Sequence, residues 1–128
     1  MRFDCKEIDI SEDEFGCGIT FSDKEYGIAK DDMTIDELLH YSGQYVMLMR
    51  KYSEDELEED YLYIETNDPQ KSGEIKNFLI NISPAIFSIS YEKDSIEINL
   101  NGDEKTFQDM KQIIKKITNE IGQLNIHD

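Results

Sequence analysis

Histidine and cysteine are almost missing from this 128-residue chain: His40 and His127 are the only imidazoles, Cys5 and Cys17 the only thiols. A Ser–His or Cys–His nucleophile pair has little to draw on. The Gly-rich phosphate loop, the Gly-x-Ser-x-Gly elbow and the His-Glu-x-x-His helix are absent too, so the chain reads as a non-enzyme. His40 falls in an expected short helix and His127 near the end of the chain, which leaves no zinc-ligand cluster with the cysteines. Both cysteines lie in alternating apolar patterns and read as small core residues rather than a bridge. No apolar run approaches the roughly 18 residues of a membrane span, and Met1–Glu7 has no signal-type apolar stretch. A cytoplasmic protein without a membrane partner is expected.

Bases are scarce as well, 13 Lys and Arg against 29 Asp and Glu, for a net charge of −16. The surplus is lopsided. Residues 1–66 hold 19 acids and 6 bases, residues 67–128 only 10 acids and 7 bases, and Ser53–Asp60 reads Ser-Glu-Asp-Glu-Leu-Glu-Glu-Asp. Nucleic acid is a poor partner for such a surface, because phosphate affinity comes from Lys and Arg displacing counterions. A cationic protein is the better one, since a field of this sign steers it and carboxylates can pair with arginine. General solubility is the plain alternative reading of the same charge. Paired acids can do acid/base chemistry only where an apolar pocket separates their pKa values, and these lie in polar runs. Calcium of the EF-hand kind needs a Gly at the sixth loop position, and the acidic run has none. No cofactor or metal is expected.

Apolar periodicity places the elements. With 38% hydrophobic residues the chain is a single domain, 1–128, large enough to bury a core. Phe3 and Cys5, then Ile8 and Ile10, alternate with a phase slip between the pairs that reads as a bulge. Phe15, Cys17, Ile19 and Phe21 alternate cleanly after the turn Ser11–Glu14, so a hairpin is expected. Thr34 and Glu37 form a capping box ahead of Ile35, Leu38 and Leu39, a short helix that Gly43 ends. Tyr45–Tyr52 is nearly continuous in apolar residues and predicts a strand buried on both sides. Tyr61–Ile64, Glu74–Ile82, Ala85–Tyr91 and a strand holding Ile96, Ile98 and Leu100 follow, separated by turn residues. Thr106 as N-cap then opens a long helix whose stripe runs from Phe107 through Ile117 and Ile121 to Leu124. The order predicts an α+β fold: a mainly antiparallel sheet of about six or seven strands with a short helix and a long C-terminal helix packed on one face.

Six of the seven tyrosines fall between residues 26 and 63, the region that also holds Asp31, Asp32, Asp36, Glu37 and the acidic cluster from Glu54 to Asp60. Tyrosine buries much area while offering a hydroxyl, which suits an interface. Sheet packing is the competing use of Tyr45, Tyr61 and Tyr63. The succession Tyr45-Val46-Met47-Leu48-Met49-Arg50, an acidic gap, Tyr63-Ile64-Glu65 with Asn67-Asp68, Gly73-Glu74-Ile75, and Ser95-Ile96-Glu97-Ile98-Asn99-Leu100 before a helix resembles immunity proteins of bacterial polymorphic toxin systems, nearest to the immunity protein 10 family. The resemblance covers about residues 15 to 120. It implies a cytoplasmic antitoxin of contact-dependent growth inhibition or a related route, which binds and neutralises a cognate toxin domain, often a nuclease, and it brings no active site with it.

The partner-binding residues expected on this reading are Glu54, Asp55, Glu56, Glu58, Glu59 and Asp60, with Asp31 and Asp32, for steering and ion pairing, and Tyr52, Tyr61 and Tyr26 as buried anchors. A monomer suits this role better than a dimer. A small acidic secretion chaperone or adaptor, dimeric and with an exposed apolar patch, is the second reading. An acid-rich small-molecule or metal-binding domain is a third.

Overall fold

The computed structural model describes residues 1–23, 43–52 and 62–127. Their elements are β1 (Arg2–Asp4), β2 (Glu7–Glu12), β3 (Gly16–Ser22), β4 (Tyr45–Lys51), β5 (Leu62–Thr66), β6 (Gly73–Ile75), β7 (Phe78–Ile82), β8 (Ile86–Tyr91), β9 (Asp94–Asn99), α1 (Glu104–Ile117) and β10 (Gln123–Ile126). Two five-stranded sheets result: sheet I in the order β1-β9-β8-β7-β10, sheet II in the order β2-β3-β4-β5-β6. Sheet II is antiparallel throughout. In sheet I the antiparallel meander β7-β8-β9 is flanked by β1 and β10, each running parallel to its neighbour.

The chain crosses between the sheets where its apolar alternation changes parity. Phe3 is buried in sheet I, whereas β2 turns even-numbered Ile8 and Ile10 toward the core side of sheet II. The amide of Cys5 still donates to Asn99 O of sheet I at 2.8 Å, and the next amide, Lys6, donates to Ser22 O of sheet II at 2.7 Å. The phase slip is therefore a change of sheet and not a bulge. A second crossing follows Ile75, which pairs with Leu62 in sheet II, and precedes Phe78, which pairs with Tyr91 in sheet I. One expected strand, Glu74–Ile82, is two.

The inward faces share one core. Cys17, Ile19, Phe21, Val46, Leu48, Leu62, Ile64 and Ile75 come from sheet II; Phe3, Phe78, Ile80, Ile82, Phe87, Ile89, Tyr91, Ile96 and Ile98 come from sheet I. The Phe21 and Phe87 rings meet across them with centroids 4.5 Å apart. Tyr91 adds a polar tie, its hydroxyl donating 2.7 Å to Lys71 O in the connection between β5 and β6. Helix α1 lies against β3 and β4 and buries Phe107, Met110, Ile113, Ile114 and Ile117 in the same core.

The α+β expectation, with its one large sheet and long C-terminal helix packed on one face, is overturned: the fold is mostly β, in two sheets. The helix is 14 residues long and is not terminal. Asp103 caps it, accepting from the Thr106 amide at 2.9 Å and the Thr106 hydroxyl at 2.7 Å, so Thr106 is the partner of the cap and not the cap. Beyond Ile117, Glu120 (φ 64°) and Gly122 (φ 61°) adopt left-handed backbone and turn the chain out of the helix. Leu124 and Ile126 then pair with Ile80 and Ile82 in β10. The expected short helix from Thr34 lies outside the described residues. Burial of β4 on both sides is also corrected: Val46, Leu48 and Arg50 are buried, Tyr45 and Met47 half-buried, and Met49 is 42% exposed.

A shared core makes a cooperative prediction. Phe87→Ala should destabilise the protein by about 3–5 kcal/mol, as large-to-small changes in a core do. Urea unfolding should move both sheets in one transition; separate transitions for the two sheets would refute a common core.

Candidate functional site

Tyr26, Asp31, Asp32, Glu54, Asp55, Glu56, Glu58, Glu59, Asp60 and Tyr61 lie outside the described residues; Tyr52 lies within them. The flanks of both segments are placed. Residues 24–42 connect β3 to β4, and the residues bounding them are tied by Asp23 N to Gln44 O at 3.1 Å and Gln44 N to Asp23 Oδ1 at 3.0 Å. Residues 53–61 connect β4 to β5. The two acidic segments are therefore rooted at opposite ends of β4, roughly 20 Å apart for a seven-residue strand.

Tyr52 follows β4 at the second of these ends, in phase with inward-facing Arg50. Its amide donates to Phe15 O at 2.8 Å. A hydrogen bond with Cys17 and burial push its hydroxyl up to about 12, and burial likewise raises the Cys17 thiol. Beside it Arg50, only 6% exposed, donates to the carbonyls of Lys116 (3.2 Å), Ile117 (3.4 Å) and Asn119. These carbonyls lie at and just beyond the C-terminus of α1, where a cation also suits the helix dipole. Arg50, Tyr52, Lys115, Lys116 and Asn119 line a cleft of about 450 Å³. Lys116 pairs with Glu12 at 2.8 Å. The cleft is a structural clamp: Arg50 holds the helix end to β4.

The outward face of sheet II has a different character. Its cross-strand register sets Asp9, Thr20, Met47 and Glu65 in one row and Ser11, Gly18, Met49, Tyr63 and Glu74 in the next. Met47, Met49 and Tyr63 form the middle, with Tyr45 one row away. Asp9 and Glu7 on β2, Glu65 on β5 and Glu74 on β6 form an acidic rim, and Lys51 is the base at one end. Gly18 keeps the middle shallow, because a Cβ there would meet Leu48 O at 2.9 Å. An apolar centre of adaptable methionine and tyrosine within a charged rim is the anatomy of a protein-binding surface.

Sequence reasoning missed this surface because it read β4 as buried on both faces. The signal was available in Tyr45-Val46-Met47-Leu48-Met49-Arg50, whose even positions are the inward set and odd positions the outward set. Among the described residues no group of three or more His, Cys, Asp or Glu is placed to hold a metal ion, and no helix is long and apolar enough to cross a membrane.

Two outcomes are expected. Arg50→Met removes three hydrogen bonds at a buried helix end and should cost about 2–4 kcal/mol in urea unfolding. Tyr52 and Tyr91 both hold their protons to about 12 in the folded state, against 10 in the unfolded chain. Their contribution to stability is thus fully present below pH 10 and falls as pH rises toward 12. In an ultraviolet titration of the folded protein, Tyr52→Phe and Tyr91→Phe should each remove one late-ionising phenol; loss of a phenol titrating near 10 instead would contradict the assignment.

No protein family, curated protein or solved structure was found to match this chain.

Proposed function

We propose that this chain is a cytoplasmic immunity protein that neutralises a cationic toxin domain, of basic nuclease type, by stoichiometric binding and occlusion. The observation that carries the reading is the placement of charge. The described residues hold 17 acids and 11 bases, whereas residues 24–42 and 53–61 hold 11 acids and 2 bases. Both segments join the same sheet, at the two ends of the strand that carries Met47 and Met49 on its outward face. Acids at the two ends and along the rim steer a basic partner, while Met49 and Tyr63 supply the desolvated centre. Arginine and lysine that hold phosphate in a nuclease cleft can pair with carboxylates instead.

The resemblance to the immunity protein 10 family supports the same reading through the strand patterns quoted above. A secretion chaperone would need a contiguous apolar patch to hold an unfolded segment. The large apolar side chains exposed among the described residues, Ile10, Phe15, Met49 and Ile86, lie on β2, the β2–β3 turn, β4 and β8. They are spread over both sheets.

The test uses the toxin domain encoded beside this chain's own gene. Co-expression should rescue growth, and purified components should associate at a rate that falls at least tenfold between about 20 and 500 mM salt. Replacing Glu54, Asp55, Glu58 and Glu59 by their amides should slow association without changing the melting temperature, whereas Met49→Ala with Tyr63→Ala should mainly speed dissociation. Absence of rescue would end the immunity reading. Rescue with a rate indifferent to salt would end the steering mechanism.

A further inference from the structure

The geometry points to the outer edge of β2 as a second contact, one that receives an extended strand of the partner carrying basic and apolar residues in alternation. The inference rests on the binding reading above and names how the partner's backbone is engaged. Strand β2 ends sheet II, and among the described residues no strand pairs with its outer side. At the hairpin end Asp13 N donates to Gly16 O at 2.9 Å. Antiparallel ladders alternate bonded and non-bonded pairs, so Ser11↔Gly18, Asp9↔Thr20 and Glu7↔Ser22 are the bonded pairs. The backbone N–H and C=O groups of Ile8, Ile10 and Glu12 then point away from β3, toward the open side. Six residues of strand expose a template for three paired backbone positions.

The side chains around this edge select the occupant. On the inward side, Ile10 is 38% exposed and lies in a groove of about 240 Å³ shared with Ile113, Gln112, Glu12, Lys116 and Asp109. A partner residue pointing this way meets the apolar flank of Ile10. On the outward side the exposed neighbours are Asp9 and Ser11, so partner residues of the opposite phase meet the Asp9 carboxylate. An incoming strand with small apolar residues on one face and lysine or arginine on the other satisfies both. A second copy of this acidic chain would bring its own Asp9 and its acidic surface against this one and be repelled, so the same charge that bars self-pairing admits a basic strand.

The probe is the capped peptide Lys-Val-Lys-Val-Lys-Val-Lys, with Glu-Val-Glu-Val-Glu-Val-Glu as its counterpart, titrated into the full chain labelled for amide NMR. The basic peptide should shift the amides of Ile8, Ile10 and Glu12 and slow their hydrogen exchange. The acidic peptide should bind at least tenfold more weakly. Ile10→Pro removes an edge-facing N–H while sparing the β2–β3 ladder, so it should keep its melting temperature within a few degrees and lose at least tenfold in peptide affinity. Equal binding of the two peptides, shifts confined to Met47, Met49 and Tyr63, or no shifts at saturating peptide would each overturn the edge contact. Should Ile10→Pro fail to fold, the exchange protection in the parent decides alone. Full toxin neutralisation by a folded Ile10→Pro chain would overturn the edge contact and leave the immunity reading standing.

Discussion

The contact of Phe21 with Phe87 stands for the constraint that organises this molecule: each sheet has one apolar face, and the two faces can leave water only by covering each other. Parity follows from that. A strand that continued in register through Cys5–Lys6 or Lys76–Asn77 would carry its next apolar residues to the solvent side, so the chain must change sheet where the alternation changes. Helix α1 fills what the second sheet does not cover, against β3 and β4, and Arg50 secures its end by donating to the carbonyls of Lys116, Ile117 and Asn119. On the outward face of sheet II, Asp9, Met49 and Glu74 remain exposed.

Much of the local structure was legible because strands and turns are written in short-range chemistry. The β2–β3 hairpin, β4 and the β7-β8-β9 meander follow from alternation and from turn residues such as Glu92-Lys93, and the body of α1 from the apolar stripe that begins at Phe107. The architecture was less legible. A shift of parity has two meanings in a strand pattern, a bulge within one sheet or passage to another, and only tertiary pairing distinguishes them. The run from Phe107 to Leu124 shows the same limit. Ile121 and Leu124 continue the helical spacing, yet the left-handed turn at Glu120 and Gly122 gives Leu124 to a strand, where Ile80 offers it a partner. Local propensity yielded to burial.

The site divides along the same line. Acidic residues between 24 and 61 were visible by composition alone, but composition carries no geometry, and β4 separates the roots of the two acidic segments by its whole length. Tyr52, expected as an interface anchor, is placed against Cys17 and the helix end. Met47 and Met49 fell in a strand read as buried on both sides, and Tyr63 stood between sheet packing and interface, because methionine and tyrosine do not announce which face they occupy. Their partners across the ladder decide it: Met49 opposite Gly18 and Tyr63 opposite Glu74 belong to an outward row.

Charge and edge chemistry meet on β2. A strand with open backbone groups invites edge-to-edge pairing, and its usual remedy is charge on or near the edge. Asp9 carries that charge on the outward side of the edge, while Glu12 on the other side is held by Lys116 at 2.8 Å. An exposed acid there disfavours registers that set it opposite its own copy and favours strands of the opposite charge. The surplus of −16 thus has a local consequence beyond long-range steering: it turns a liability common to open sheets into a criterion for which chain can add to this one.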